Sequence, residues 1–269
     1  MSIRRLWNGT VPILSTNLIN AGIVDVSFNI KLTQAAIAAV YEFEGEKPSL
    51  FKPTVDDTGG SRRRRRKQTS PINESPMDLD NAHEARSTSN NNFFEHQRLH
   101  GYKFAFPSIA NCEQVQQLEE EFFHASINYL KALDSSKIAN QLENDGGEFS
   151  IDLWAAIQRG KGAHHAFHVH EGAVISGVYY SACPLGCAPL VLRRPTDCTH
   201  ASDSLEIRED DQILQPKEGD LVLFPPWLEH GVPHAAGEDH DKTRVSWPFN
   251  LNARLATIGN PWDITRQWP

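Results

Sequence analysis

Two adjoining segments decide the fold, the histidine-rich His164-His165-Ala166-Phe167-His168-Val169-His170 and the apolar Val174-Ile175-Ser176-Gly177-Val178-Tyr179-Tyr180. In an extended chain, side chains two residues apart point to the same face, so His168 and His170 project together. Neutral imidazole is a common ligand for iron, zinc, copper and nickel. The two histidines are therefore half of a candidate metal site, and the rest of the chain must supply a further ligand.

A third histidine follows a later predicted strand. The apolar Leu221-Val-Leu-Phe224 comes directly after a predicted turn at residues 217–220 and leads through Pro-Pro-Trp-Leu-Glu to His230. The separation from His170 is long enough for several strands to bring the chain back beside it. A jelly roll holds a metal in its mouth with such a close early pair and a lone later histidine. His230 is therefore the predicted third ligand.

The last predicted strand carries an arginine and a serine on one face. Arg244 and Ser246 alternate with apolar residues that can pack on the opposite face. An arginine inside a barrel is costly unless an anion meets it. Its guanidinium group can bind a carboxylate through two hydrogen bonds, and the serine hydroxyl adds a donor. The sequence therefore predicts a carboxylate site near the metal.

From Glu148 onward, short apolar segments separated by glycines predict an all-β region. Strands are predicted at residues 149–154, in the histidine stretch, and at 174–182, 189–192, 212–214, 221–224, 231–234 and 243–251. Short strands at this spacing are typical of a sandwich or barrel. Pro248 lacks the amide that a β-ladder uses, so the last strand is expected at an edge or bulged there.

The N-terminal half is predicted to supply strands and helices that pack on this region. Strands are expected at Leu6-Trp7, at Val11 to Leu14 and, from its alternation, at Val24 to Ile30, followed by a helix from Thr33 to Phe43 capped by Thr33. A helix capped by Asn111 is expected from Cys112, with an apolar stripe to Leu133, and a weaker one at 135–142. The stripe is interpreted as core packing.

Residues 45–92 have a different composition, rich in Gly, Ser, Pro, Asn and charge, and are expected to be disordered. Within them lies the basic run from Arg62 to Lys67. Adjacent cations repel one another and stay solvated, so the run is either an exposed tether or a contact for nucleic acid or an import receptor. The two interpretations are weighted evenly.

The composition restricts the class of protein. The net charge of -8 does not favour a nucleic-acid binder as a whole. The four cysteines contain no Cys-x-x-Cys pair, which argues against a zinc ribbon or a disulfide framework. No apolar stretch is long enough to cross a bilayer. We expect a soluble intracellular protein, cytoplasmic or nuclear; residues 1–24, with Arg4, Arg5 and no acid, leave organelle targeting open.

The motifs together resemble a branch of the iron(II)- and 2-oxoglutarate-dependent oxygenases. The motifs are His168-Val-His170, Ser176-Gly-Val-Tyr-Tyr180, Pro216-Lys-Glu-Gly-Asp-Leu-Val-Leu-Phe-Pro-Pro-Trp-Leu-Glu-His230 and Arg244-Val-Ser246. The resemblance extends from about Trp154 to Asn250. Four motifs in the family's order make it specific.

The resemblance implies residue roles. It implies that His168 and His230 bind iron, that Arg244 and Ser246 hold the far carboxylate of 2-oxoglutarate, and that Tyr180 also contacts this cosubstrate. Most of the wider family has a carboxylate where His170 stands. An imidazole there removes one negative charge beside the iron. The nearest acid, Glu171, is expected on the opposite face of the strand.

The other histidines are weaker candidates. His164 and His165 precede the expected strand and are interpreted as exposed or as neighbours of the ligands. His234 shares parity with His230 but follows a proline, and His240 lies in a predicted loop.

We therefore predict a mainly β fold with flanking helices, a double-stranded β-helix (jelly roll, cupin-like) with its core at about residues 148–252. Residues 1–44 are expected to pack on this core, 45–92 to form the disordered insert and 93–269 to form the oxygenase-like domain. The predicted function is oxidation of a substrate by O2 with iron(II) and 2-oxoglutarate, the metal being bound by His168, His170 and His230. The chain is thus predicted to be a hydroxylase.

Two other functions are compatible with the same residues. A cupin-type three-histidine metalloenzyme would bind a metal but would not use 2-oxoglutarate, so Arg244 would not matter. A non-catalytic barrel acting as a binding module would hold no stoichiometric metal, and binding of nucleic acid through its basic run would weaken steeply with salt.

Overall fold

A computed structural model of the chain describes residues 2–7, 9, 11–44, 96–99, 106–133, 135–144, 149–159, 163–195, 206–233, 243–253 and 262. The expected insert at 45–92, with the run Arg62 to Lys67, lies outside the described residues, as do His234 and His240.

The strands are β1 (Ser2–Leu6), β2 (Val11–Asn17), β3 (His96–Leu99), β4 (Phe149–Leu153), β5 (Ala155–Arg159), β6 (His165–His168), β7 (Ile175–Ala182), β8 (Leu190–Leu192), β9 (Gln212–Leu214), β10 (Asp220–Phe224), β11 (His230–Val232) and β12 (Thr243–Ala253). The helices are α1 (Val26–Glu44), α2 (Pro107–Ala110), α3 (Glu113–Ala132) and α4 (Ser136–Asn144).

The described strands form two antiparallel sheets. The larger sheet has the order β1-β2-β10-β7-β12-β5-β3, and β4 also pairs with β12. The smaller sheet has the order β6-β11-β8-β9. Strands distant in sequence are neighbours in both sheets, as in a jelly roll. The prediction of a mainly β, double-stranded β-helix fold is confirmed.

The larger sheet has an apolar layer on each face. On one face, Phe122 of α3 stacks on Phe249 of β12 with ring centroids 4.0 Å apart, and the helices cover this layer. On the other face, Val178 and Phe224 pack with Leu190 of the smaller sheet. Successive residues of one strand therefore serve different layers, and the side chains between the two sheets are available to form a site.

The predicted helical stripe is confirmed. Its members Val115, Leu118, Phe122, Tyr129 and Leu130 are buried along α3. The helix begins at Glu113, and Cys112 occupies the cap position, so the expected cap at Asn111 is wrong by one residue. The weaker helix is present as α4. Among the described helices, none combines the length and the apolar character that a membrane crossing requires.

The expected strand from Val24 to Ile30 is wrong, because its residues from Val26 onward belong to α1. The Asp25 carboxylate accepts a hydrogen bond from the Phe28 amide (2.8 Å) and caps the helix there, well before the expected cap at Thr33. The buried residues Phe28, Leu32, Ala36, Ala39 and Val40 follow helical spacing. The short alternation was therefore the start of a longer helical repeat.

Of the two alternatives expected at Pro248, the edge position is wrong, and the bulge is not at that residue, because β12 shifts register against β7 between Val245 and Ser246. Strand β12 lies inside the larger sheet, with β7 on one side and β5 and β4 on the other. On the latter side it pairs with β5 up to Ser246 and with β4 from Phe249. Pro248 lies at this change of partner, where its carbonyl accepts from the Trp154 amide (3.2 Å). The missing amide is tolerated because no regular ladder bond is due there.

Candidate active site

Three histidine side chains converge at adjacent strands of the smaller sheet. His168 ends β6, His230 begins β11, and the two residues are paired across these strands. His170 follows two residues after β6, where its amide donates to the Pro226 carbonyl (2.9 Å). One ligand nitrogen from each ring lies within 4.8 Å of the other two. Small side-chain rotations would bring such a set onto a single ion.

Backbone carbonyls determine where two of these rings carry their proton. Nδ1 of His168 lies 2.8 Å from the Ala166 carbonyl, and Nδ1 of His230 lies 2.9 Å from the Leu228 carbonyl. A carbonyl oxygen only accepts, so each neutral ring is protonated at Nδ1 and its Nε2 lone pair is available to a metal. The neighbour of Nδ1 in His170 is instead a side-chain amide. A set of neutral imidazoles fits a first-row transition metal such as iron(II).

A buried arginine supports the two ligand strands. Arg193 is 1% exposed. Its guanidinium carbon lies 3.5 Å from the centre of the Phe167 ring. Nη1 of Arg193 also donates to the Glu229 carboxylate (3.0 Å). Phe167 and Glu229 directly precede His168 and His230 in the chain. The cation–π contact and the ion pair therefore hold the residues next to two of the histidines.

The three histidines line one cavity. The cavity wall also includes the apolar side chains of Trp154, Val178, Leu190, Phe224, Val232 and Pro248. These side chains come from both sheets, so the cavity lies in the layer between them.

A buried positive charge lines the same cavity. Arg244 is 4% exposed; its Nη1 donates to the side-chain oxygen of Gln158 and lies 3.4 Å from the Ser246 hydroxyl. No carboxylate of the described residues forms an ion pair with it. Nε of Arg244 and Nε2 of Gln158 are buried without a hydrogen-bond partner in the described part of the chain. An anionic ligand would satisfy both donors and the charge.

A tyrosine adds a third donor. Tyr180 is paired with Ser246 across β7 and β12, and its ring centre lies 5.0 Å from the guanidinium carbon of Arg244. Its buried hydroxyl has no hydrogen-bond partner among the described residues. Burial raises the pKa of Tyr180 although Arg244 opposes this effect. The phenol therefore stays protonated at neutral pH and can donate to an anion.

Two thiols, near enough to Arg244 to interact with its charge, lie in a turn after β7. Cys183 and Cys187 are free, and the Cys187 amide closes the turn onto the Pro184 carbonyl (3.0 Å). A hydrogen bond from Cys183 lowers the pKa of the Cys187 thiol; burial opposes this effect and Arg244 adds to it. Both cysteines are half-buried. Because its pKa is lowered, Cys187 has the larger thiolate fraction and is the more reactive thiol of the pair.

The structure brings all six residues predicted for the site into the wall of one cavity: His168, His170, His230, Arg244, Ser246 and Tyr180. His165 was expected to precede the strand. It is instead the first residue of β6, lines the cavity and contacts His168, with ring centroids 4.4 Å apart. Glu171 is exposed.

Sequence reasoning missed three residues around the site, Gln158, Arg193 and Asn250. Gln158 lies on β5, a strand that was not predicted because the region was interpreted as one strand ending at Trp154. Its signal was a polar residue closing the apolar run Ala155-Ala-Ile. Arg193 and Asn250 had no comparable signal, because their partners are distant in sequence.

Residues 152–250 match the model of the family described as "Putative 2OG-Fe(II) oxygenase". None of the curated proteins matches the chain. Among solved structures, similarity is found to AviO1 from Streptomyces viridochromogenes, with 12% identity, a TM-score of 0.48 and coverage of 89% of each chain. A prolyl hydroxylase from Trichoplax adhaerens, in complex with a hypoxia inducible factor peptide fragment, has 13% identity and a TM-score of 0.45 over 89% of this chain and 83% of its own.

A Pseudomonas putida prolyl-4-hydroxylase is also similar, with 13% identity and a TM-score of 0.42 over 90% of this chain and 92% of its own. At these identities and scores, the three structures add no argument about activity.

The family match covers all three histidines, Arg244 and Ser246. It confirms the resemblance, and the family implies iron(II) and 2-oxoglutarate, to which the histidines and the buried donors are suited. Residues 152–250 thus match the model of a family of 2OG-Fe(II) oxygenases, which are oxidoreductases.

Proposed function

We propose that the chain is an iron(II)- and 2-oxoglutarate-dependent dioxygenase that hydroxylates a C–H bond of its substrate. One observation carries this proposal. A single cavity is lined both by three convergent imidazoles and by a buried guanidinium that has no carboxylate partner among the described residues. A metal site alone does not require such an arginine, whereas a site for a metal and a dianion does.

In this proposal His168, His170 and His230 hold the iron through ring nitrogens. The Nδ1–H groups of His168 and His230 are bound to backbone carbonyls, so these rings are oriented before the metal arrives. His230 is 6% exposed, whereas the other two are partly exposed. The pair of partly exposed ligands leaves an accessible side through which the metal and small molecules can enter.

Arg244 binds the carboxylate of 2-oxoglutarate that is distant from the metal. The Ser246 hydroxyl and the Gln158 oxygen orient the guanidinium, and Tyr180 supplies a further O–H donor. A bidentate contact between a guanidinium and a carboxylate fixes the ligand's direction as well as its position. These residues would therefore present the same end of the cosubstrate to the metal each time.

When bound, iron(II) and 2-oxoglutarate supply the oxidising chemistry, in which O2 is consumed, the cosubstrate loses CO2 to become succinate, and one oxygen atom enters a C–H bond of the substrate. The chain's residues provide the surroundings. The side chains of Trp154, Phe224 and Pro248 exclude water from the cavity wall.

One observation favours a second candidate function. His170 stands where most of the wider family has a carboxylate, so the three ligands bring no negative charge to the metal. A three-histidine metalloenzyme that does not use 2-oxoglutarate would have the same ligands. In that case Arg244 would have no role in turnover.

The deciding experiment measures succinate formed from 2-oxoglutarate by the full-length chain with iron(II) and O2, together with calorimetric binding of 2-oxoglutarate to the zinc-loaded protein without O2. The wild type is expected to form succinate slowly even without substrate. Arg244→Ala is expected to abolish succinate formation and to retain the metal. The control Arg194→Ala removes an arginine whose side chain is 49% exposed, and it should behave as the wild type.

Each alternative gives a different result. Stoichiometric metal without 2-oxoglutarate binding supports the three-histidine enzyme of other chemistry and overturns the proposal. A chain that binds neither metal nor 2-oxoglutarate is a non-catalytic binding module.

A further inference from the structure

The side chain of Asn250 lies beside one of the three histidines. Its Nδ2 is 3.2 Å from Nδ1 of His170, and its Oδ1 accepts a hydrogen bond from the Ser176 hydroxyl (2.8 Å). Asn250 and Ser176 are directly opposite each other on β12 and β7. Ser176 is 1% exposed. The amide is therefore held between a buried hydroxyl and an imidazole.

With the amide nitrogen toward His170, this contact favours a different tautomer for His170 than for the other two rings. An amide Nδ2 only donates, so the neutral His170 ring must accept at Nδ1 and carry its proton on Nε2. In His168 and His230 the carbonyl partners require the opposite, with the proton on Nδ1. An Nε2 that carries a proton has no lone pair for a metal. As placed, the Asn250 amide therefore leaves His170 unready to bind through Nε2.

A half-turn of the amide reverses this situation without losing a hydrogen bond. Oδ1 of Asn250 would then accept from Nδ1–H of His170, and Nδ2 would donate to the Ser176 hydroxyl, which can accept as well as donate. The Nε2 lone pair of His170 would become available. A carbonyl partner, such as those of the other two rings, cannot make this exchange.

We propose that Asn250, anchored by Ser176, is a positioning residue that selects the tautomer of His170 and allows it to change when the metal binds. This inference rests on the proposed metal site. His170, the imidazole that replaces the carboxylate of related enzymes, would thus have an adaptable partner. His168 and His230 have fixed backbone partners. Partners of metal-bound histidines typically change metal affinity by about 10- to 100-fold when mutated.

The tautomers can be observed directly by long-range ¹H–¹⁵N NMR of the full-length chain labelled with ¹⁵N-histidine, at a mildly alkaline pH where the rings are neutral. The signals of His170 are identified by their loss in His170→Gln. In the metal-free wild type, His170 should be protonated at Nε2, and His168 and His230 at Nδ1. Saturation with zinc should move the His170 proton to Nδ1.

Variants of Asn250 test the role by a second measurement, zinc affinity. Asn250→Leu removes both hydrogen bonds and should weaken zinc binding by about 10- to 100-fold. Asn250→Asp supplies a carboxylate that only accepts, so it should restore or exceed wild-type affinity and fix His170 with its proton on Nδ1. The control Asn252→Leu lies two residues further along β12, where the amide binds Asp152 near the surface, and should leave zinc affinity unchanged.

The outcomes are separable. A wild type in which His170 keeps the same tautomer with and without zinc overturns the inference, as does unchanged zinc affinity in Asn250→Leu. A wild type that binds no stoichiometric zinc overturns the proposed metal site as well. Loss of folding in Asn250→Leu would leave the wild-type tautomers and Asn250→Asp to decide.

Discussion

The two groups of polar residues in the cavity are built differently. The histidine group consists of His168, His170 and His230 at strand ends of the smaller sheet. The Nδ1 atoms of His168 and His230 already have backbone partners. The arginine group consists of Gln158, Tyr180, Arg244 and Ser246, which lie within strands of the larger sheet. Three of its buried donors have no partner among the described residues: Gln158 Nε2, Tyr180 Oη and Arg244 Nε. The difference indicates that the histidine group is largely preorganised, whereas the arginine group is completed only by a ligand.

The comparison predicts that the metal depends on the histidine group alone. His230→Ala removes the most buried ligand and should lower zinc affinity by at least about 100-fold, more than partners of ligands usually contribute. Equilibrium titration with a chromophoric chelator measures this effect. Arg244→Ala should keep the wild-type zinc affinity; if it loses zinc as His230→Ala does, the two groups are not independent.

Gln158→Glu should selectively disable the arginine group. The new carboxylate would pair with Arg244 and repel the 2-oxoglutarate dianion, since Gln158 already contacts the guanidinium. We expect the affinity for 2-oxoglutarate to fall on the order of 100-fold in calorimetry, about 3 kcal/mol, while zinc binding is unchanged. The uncharged Gln158→Met should have a smaller effect. Equal losses in the two variants would contradict the electrostatic explanation.

Tyr180→Phe should have a moderate effect. It removes one neutral hydroxyl donor and retains the ring, so the loss of 2-oxoglutarate affinity should be about 1 kcal/mol, roughly fivefold. The matched change Tyr179→Phe affects a hydroxyl that faces the helices and bonds Asn29, and it should leave this affinity unaltered. A larger loss in Tyr179→Phe would show that packing, and not the donor, is being measured.

The smallest expected effect is on Cys187. Arg244 contributes to lowering the pKa of this thiol, so an anion bound to Arg244 should raise that pKa and reduce the thiolate fraction at neutral pH. Iodoacetamide should therefore modify Cys187 up to about threefold more slowly when zinc and 2-oxoglutarate are bound. Mass spectrometry of the modified peptide measures the rate. Modification that is faster with the ligand would contradict this sign.

The sequence was most informative where spacing alone determines geometry. His168 and His170, and likewise Arg244 and Ser246, were assigned to shared faces because side chains alternate along a strand, and both pairs line the cavity. Gln158 was missed because its role depends on Arg244, a partner that only the pairing of β5 with β12 reveals. The same limit applies to Asn250.

Errors in the predicted elements have local causes. The segment from Val24 to Ile30 is too short for its alternation to distinguish a strand from the first turns of a helix. Asp25, which caps α1, was the signal that favoured the helix. The strand was expected to be at an edge or bulged at Pro248 because a proline rarely lies inside a regular sheet. The exchange of β5 for β4 as its neighbour could not be read from the sequence.

That exchange at Pro248 also positions an indole as an internal optical probe. The chain bends between β4 and β5 at Trp154, whose ring lines the cavity with its centre 5.9 Å from that of His170. Open-shell metal ions quench indole emission at such short range. Fluorescence of the unlabelled protein should therefore report loading with cobalt or nickel, and the difference between the wild type and Trp154→Phe should isolate the signal of this one indole.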